Sequence, residues 1–192
     1  MTAVLVYRAD EVTEYDDLAA ARAAEGTTWV HAAGADRVEM ERIADAFDIH
    51  PLSVEDVFNG VRPKTEEYDD YTLVVVKRAT LRGGETTFDE EIRDVPVGVF
   101  VGDDWLVTLS SGPADPVDRV RQAVRSGDER LLHRGADFTA YRVLDVIVDE
   151  YFALLDEIED DIETVEDAVT TATDIETLEA INSVRRELLS FR

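Results

Sequence analysis

Carboxylates dominate the residues of this chain that could do chemistry. Between Val143 and Ala172 stand eleven acids and no base. Within that stretch Asp149, Glu150, Asp156, Glu157, Asp160, Asp161 and Glu163 recur at spacings that share helix faces, and carboxylate oxygens are the ligands of Mg²⁺ and Ca²⁺. A single helix cannot wrap an ion, so the pattern predicts a solvated acidic face with diffuse attraction for divalent cations. Glu55-Asp56 and Asp89-Glu90-Glu91 have the residue types of a two-metal phosphatase or nuclease. Such a site also needs distributed His and Asp partners. The histidines, His31, His50 and His133, are far apart and form no HExxH pattern. Solvated loop and helix residues are the simpler reading of both clusters. Arg62-Pro63-Lys64 could hold an anion, but pairing with nearby acids is simpler.

Other chemistries are excluded outright. The chain has no cysteine, which removes disulfides, zinc–thiolate sites, iron–sulfur clusters and thiol catalysis. No phosphate loop, nucleophile elbow or dinucleotide fingerprint is present, and Gly83-Gly84 reads as a turn. No catalytic residue, cofactor-binding residue or metal ligand is assigned, and the chain is not expected to be an enzyme.

The charge balance constrains partners. Lys and Arg total 19 against 44 Asp and Glu, a net charge of −25 over 192 residues, where small domains usually carry roughly 2–8 in magnitude. Such a surplus repels the phosphate backbone of nucleic acids and the anionic face of a membrane. Only Lys64 and Lys77 are lysines. Acid surplus, scarce lysine and abundant Asp, Ala, Val and Thr suggest adaptation to high salt, where screening shortens to about 3 Å at 1 M. No secretory signal opens the chain, and its apolar runs fall well short of the about 20 residues that span a bilayer. A soluble, cytosolic chain is expected.

The elements that must position these residues alternate at first. Val4 to Tyr7, Thr28 to His31, Tyr71 to Ala79, Val95 to Val101 and Trp105 to Leu109 read as strands, and Phe88 to Arg93 can pair beside them. Gly102-Asp103-Asp104 joins the last two as a hairpin. Between the first two, Thr13 with Asp16 reads as the cap of a helix ended by Gly26. Asp36 with Glu39 has capping-box spacing, Pro51 starts a helix that stops at Asn59-Gly60, and Asp115-Pro116 caps another that ends at Ser126-Gly127. Five or six strands with helices between them make a compact α/β unit over residues 1–133.

Residues 134–192 change character. Leu144, Val148, Tyr151, Leu155, Ile158, Ile162, Val165 and Val169 alternate at spacings of four and three, a heptad seam for a long helix of some 34 residues, about 50 Å. Thr173 with Glu176 starts a second helix carrying Leu178, Ile181, Arg185 and Leu188, so the two should form an antiparallel hairpin. That second stripe runs to Arg192 without a cap, and a fragment of a longer protein is expected.

His50-Pro51-Leu52-Ser53-Val54-Glu55-Asp56-Val57, then Arg62-Pro63-Lys64, then the strand from Tyr71 to Lys77, resemble the CorA family of magnesium transporters. The resemblance continues through Ala136-Asp137-Phe138, Tyr141, Asp149-Glu150-Tyr151-Phe152-Ala153-Leu154-Leu155 and Arg185-Arg186-Glu187-Leu188. It implies an α/β/α sandwich with a mixed sheet, followed by a long helical hairpin. It also implies a homopentamer on the cytoplasmic face of the cell membrane, anchored by helices beyond Arg192. Mg²⁺, Co²⁺ or Ni²⁺ would be the cargo, and Mg²⁺ between neighbouring subunits would hold the pore closed. In the family a key acid lies about five residues after the strand ending at Lys77. Arg82 stands there, with Glu85 the nearest acid. A zinc-transporting relative, a soluble helical interaction module and a metal-dependent hydrolase are the rival readings.

Overall fold

The computed structural model describes residues 2–82, 91–171 and 181. In chain order the elements are β1 (Thr2–Arg8), β2 (Glu11–Tyr15), α1 (Leu18–Ala23), β3 (Thr27–Ala33), α2 (Arg37–Ala46), α3 (Pro51–Phe58), β4 (Lys64–Glu67) and β5 (Thr72–Arg82). They continue as β6 (Glu91–Val101), β7 (Trp105–Ser110), α4 (Asp115–Arg125), α5 (Glu129–Leu132) and α6 (Gly135–Thr171). The seven strands make one mixed sheet in the order β2-β1-β3-β7-β6-β5-β4. β3 and β7 run parallel at its centre, and β1–β2, β1–β3, β6–β7 and β4–β5 are antiparallel.

The strands expected from apolar runs are present, and two more complete the sheet. β2 and β4 are its two edges. Their sequences, Glu11-Val12-Thr13-Glu14-Tyr15 and Lys64-Thr65-Glu66-Glu67, are short, charged and largely exposed. Charge on an edge strand blocks pairing with other chains and erases the apolar signal that marks a strand. Thr13 therefore lies in β2 and caps nothing. The first helix is capped by Asp17, whose carboxylate accepts from Ala20 N at 2.7 Å. Glu91 to Arg93 simply extend β6, while Phe88 to Glu90 and Gly83-Gly84 lie outside the described residues.

Two compact units divide the chain, residues 1–78 with 95–147 and residues 79–94 with 148–192. In the first, alternation sorts each strand between two layers. Val4, Val6, Val30, Ala32, Leu73, Val75, Val107 and Leu109 face α1, α2 and α3 in one core. Every residue of β7 is buried, as a central strand covered on both faces requires. Leu5, Tyr7, Trp29 and Leu106 point the opposite way, where Val117, Val120 and Val124 of α4 are also buried. The Tyr7 hydroxyl meets Thr139 Oγ1 of α6 at 2.6 Å, and burial pushes its pKa up to about 12. This is the sandwich that the resemblance implied.

Local signals place the helix starts. Asp36 accepts from Glu39 N at 2.9 Å, although the Glu39 carboxylate turns to the Thr2 hydroxyl and leaves the capping box half made. Pro51 opens α3 with His50 as its cap, and Ala114 takes the cap position before Asp115-Pro116, which are already helical. Gly98 lets α3 approach β6: a Cβ there would stand 2.3 Å from Val57 Cγ2.

The long helix forms as expected, and Tyr151, Ile158 and Ile162 of the expected seam do turn inward, but the rest of the buried stripe is rotated. In the first unit Val143 and Ile147 are buried, and in the second Leu154 and Ile158 are buried with Ala79, Tyr151 and Ile162 packed beside them. Val148 and Leu155 of the expected seam are 45% and 43% exposed. Apolar residues cover both edges of a wide stripe here, and at Val143, Ile147 and Leu154 packing selects the edge one residue earlier. The side chains of Val165 and Val169, and the second hairpin helix apart from residue 181, lie outside the described residues. Among the described residues no helix is long and apolar enough to cross a membrane.

Candidate functional site

The signature segment His50 to Val57 folds into a polar lock between α3 and the start of β5. His50 Nδ1 accepts from Leu52 N at 3.2 Å, which satisfies a donor at the start of the helix. The hydroxyls behind it form a chain in which each can donate once. His50 N donates to Tyr71 Oη at 3.1 Å, Tyr71 Oη meets Ser53 Oγ at 3.1 Å, and Ser53 Oγ donates to Tyr68 Oη at 2.9 Å. Tyr68 Oη then donates to Glu66 Oε2 at 3.0 Å. The two tyrosine rings stack at 4.5 Å, 13° from parallel.

Ion pairs close the far end. Lys64 Nζ donates to Asp56 Oδ2 at 2.5 Å and to Glu66 Oε1 at 2.8 Å. The bond to Asp56 is the main cause that raises the Lys64 pKa above its ordinary value, and the bond from Lys64 is the main cause that lowers that of Glu66. Arg37 of α2 donates to Glu55 Oε1 at 2.7 Å and to Glu41 Oε1 at 2.8 Å. Glu55 and Asp56 are thus held by cations of the protein itself. Pairing, the simpler reading of Lys64, is what the structure shows.

Other candidates do not converge. Asp149, Asp156, Glu157, Asp160 and Glu163 are exposed along α6, and Glu150 is half-buried. Among the described residues no group of three or more His, Asp or Glu side chains could hold a metal ion. Asp89, Glu90 and Glu85 lie outside the described residues, as do the side chains of Arg82, Glu91 and Asp161. His50 and His133 serve backbone groups, His133 Nδ1 meeting Glu129 O at 2.8 Å.

His31 is the site feature that sequence reading passed over. Its side chain is 3% exposed, and Nδ1 meets Thr108 Oγ1 at 2.8 Å. Trp29 Nε1 donates to the same oxygen at 3.1 Å, while Val30 O lies 3.4 Å away. Nε2 has no hydrogen-bond partner and faces Asp118 Oδ1 at 3.8 Å. Burial pushes the His31 pKa down to about 4, against the pull of Asp118. A cleft of about 630 Å³ lies here, where Ala3 and Ala33 leave room between the sheet and α4. The residue is a buried imidazole held neutral by its burial. A histidine in the middle of an apolar run was the one sequence signal for it.

Arrangement and sequence point to the same class. The fold is shared with the soluble domain of CorA from Methanocaldococcus jannaschii, whose structure superposes with a TM-score of 0.73 at 22% identity, over 98% of this chain and 72% of that one. The ZntB cytoplasmic domain of Vibrio parahaemolyticus shares the fold at a TM-score of 0.61 and 15% identity, over 96% and 72% of the two chains. The profile of the CorA-like Mg²⁺ transporter protein family matches residues 24–192, and the chain belongs to that family. It is a family of ion transporters and not of enzymes. The cobalt/magnesium transport protein CorA of Thermotoga maritima is 27% identical over 191 residues, 97% of this chain and 52% of that protein. The putative metal ion transporter YfjQ of Bacillus subtilis is 30% identical over 165 residues, 85% and 49% of the two. The chain spans about half the length of these curated relatives.

Proposed function

We propose that this chain is the cytoplasmic regulatory part of a divalent-cation transporter, with Mg²⁺ as the principal cargo and as the ion sensed. The observation that carries the reading is the family match over residues 24–192, on a chain with the fold of a CorA soluble domain. Residues 1–133 act as the sensor body and 134–192 as a helical arm. Copies of the chain associate, and cations bridging carboxylates of neighbouring copies favour the closed arrangement. Linkage alone supplies the signal, because an ion that bridges two subunits stabilises only the state in which its ligands face each other. The exposed carboxylates along α6 support the reading, because such a face attracts divalent cations diffusely.

The test begins with the gene. Beyond Arg192 it should encode two apolar stretches of about 20 residues each, joined by a loop that opens near Gly-Met-Asn. The whole product, placed in liposomes that hold a Mg²⁺ indicator, should then admit Mg²⁺ and slow as internal Mg²⁺ rises, only modestly while Arg82 stands where the family has an acid. A stop codon within a few dozen codons, or liposomes that stay impermeable to Mg²⁺, would overturn the reading. Admission of Zn²⁺ in place of Mg²⁺ would give the cargo to zinc.

A further inference from the structure

Along residues 119–142 the charge of the chain reverses. Arg119, Arg121, Arg125, Arg130, Arg134 and Arg142 stand against Asp128, Glu129 and Asp137, in a protein of net charge −25. Arg121 and Arg125 are engaged with Asp118 and Glu14, and Arg119 and Arg142 also have interactions of their own. Arg119 of α4, Arg130 of α5 and Arg142 of α6 come together from three elements around a groove of about 520 Å³, within the size range of small-molecule sites.

The groove also carries an aromatic wall. Phe138 and Tyr141 line it with ring centroids 5.8 Å apart and planes tilted by 34°. One face of Phe138 is taken by the Arg134 guanidinium, 4.6 Å from its centroid. Tyr141 is 54% exposed, and its hydroxyl reaches toward Asp145 Oδ1 at 3.4 Å. Arg142 donates to the other Asp145 oxygen, so ring and guanidinium are tethered to one carboxylate. Asp128, the acid in the lining, accepts from Arg130 N at 2.9 Å as the α5 cap.

Guanidinium forks match phosphate oxygens, and an open aromatic ring matches a nucleobase. Inorganic phosphate would use only the first and an acidic peptide would leave the ring idle. A long nucleic acid would meet the repulsion of the surrounding acids, whereas one nucleotide fits within the basic groove. We propose that this groove binds a nucleotide, with its base on Tyr141 and its phosphates among Arg119, Arg130 and Arg142. The proposal stands independently of cation-linked gating.

The experiment is calorimetric titration of the 192-residue chain with ATP, adenosine, tripolyphosphate and a hexaglutamate peptide, in chelator and about 0.1 M KCl, where surface charge is still felt. ATP should bind at least about tenfold more tightly than adenosine or tripolyphosphate, because only ATP engages both the ring and the arginines. Arg130→Gln should weaken ATP and leave adenosine unchanged. Tyr141→Ala should weaken ATP toward the tripolyphosphate value, and Tyr141→Phe should retain it. Thermal melting of each variant checks that the fold is intact. No heat with millimolar ATP would overturn the proposal. So would tripolyphosphate binding as tightly as ATP, ATP affinity unmoved by Arg130→Gln and Tyr141→Ala, or hexaglutamate binding more tightly than ATP.

Discussion

His31 Nε2 faces Asp118 Oδ1 across 3.8 Å, too far for a hydrogen bond, although the imidazole is buried in the sheet layer and the carboxylate stands on α4. Asp118 instead accepts from Arg121 at 2.9 Å. Burial of the imidazole thus outweighs the pull of Asp118, and Arg121 adds to the lowering.

A pH prediction follows from that pair. Unfolded, His31 takes a proton near pH 6.5; folded, it does so only near pH 4. Between those values the unfolded state binds more protons, so the contribution of His31 is fully present above about pH 6.5 and is lost as pH falls toward 4. The loss amounts to at most about 3 kcal/mol. Denaturant unfolding of wild type and His31→Gln at pH 7 and pH 4.5, in molar KCl, should show the wild type losing more stability than the variant. Equal losses would mean that His31 is solvated in the folded state.

The hydroxyl chain of Ser53 and Tyr71 should act as a unit. Ser53→Ala removes the partner of two tyrosine hydroxyls, at a cost of about 1–3 kcal/mol. Tyr71→Phe leaves His50 N without its acceptor, and a double-mutant cycle of the two should give a coupling of about 0.5–3 kcal/mol. Urea denaturation reads both. Additive losses would show that the two hydroxyls contribute separately.

Gly98→Ala should destabilise by about 1–3 kcal/mol, the usual cost of overpacking, because the new methyl would meet Val57 Cγ2 at 2.3 Å. Val57→Ala in the same chain should recover part of that loss. The midpoint of thermal unfolding tests it, and a wild-type midpoint for Gly98→Ala would show that α3 shifts freely on the sheet.

Salt should decide whether the fold is tight. With a net charge of −25, self-repulsion at low ionic strength should loosen the domain, and molar KCl should restore it. Circular dichroism melts across a KCl series should show a rising midpoint. An unchanged midpoint would remove salt adaptation as the reason for the acids.

Regulation by Mg²⁺ should be weaker than in relatives that carry an acid about five residues beyond the position of Lys77. There β5 runs on to Arg82 and does not end at Lys77 as the sequence suggested. Arg82 stands at that position, and a guanidinium cannot ligate Mg²⁺. In the whole gene product, protease protection should depend little on Mg²⁺, and Arg82→Asp should create a saturable dependence. Strong Mg²⁺ protection of the wild type, unchanged in the variant, would move the sensor to the acidic helix.

Local chemistry was legible from residues alone. Asp36 and Pro51 start their helices, Gly102 to Asp104 turn the β6–β7 hairpin, and the apolar runs became β1, β3, β5, β6 and β7. Each depends on contacts within a few residues, which sequence spacing records directly. The edges β2 and β4 escaped notice because their charge opposes the pattern that marks buried strands, and only the neighbouring strand decides that they pair. Tertiary packing alone buried Val143 and Ile147 in place of Leu144 and Val148, since both edges of that stripe are apolar and one face had to be chosen. It also brought His50, Ser53, Tyr68 and Tyr71 into one hydroxyl chain and gathered Arg119, Arg130 and Arg142 around one groove. Spacing along a chain fixes what a helix can present; which neighbour receives it depends on contacts far apart in sequence.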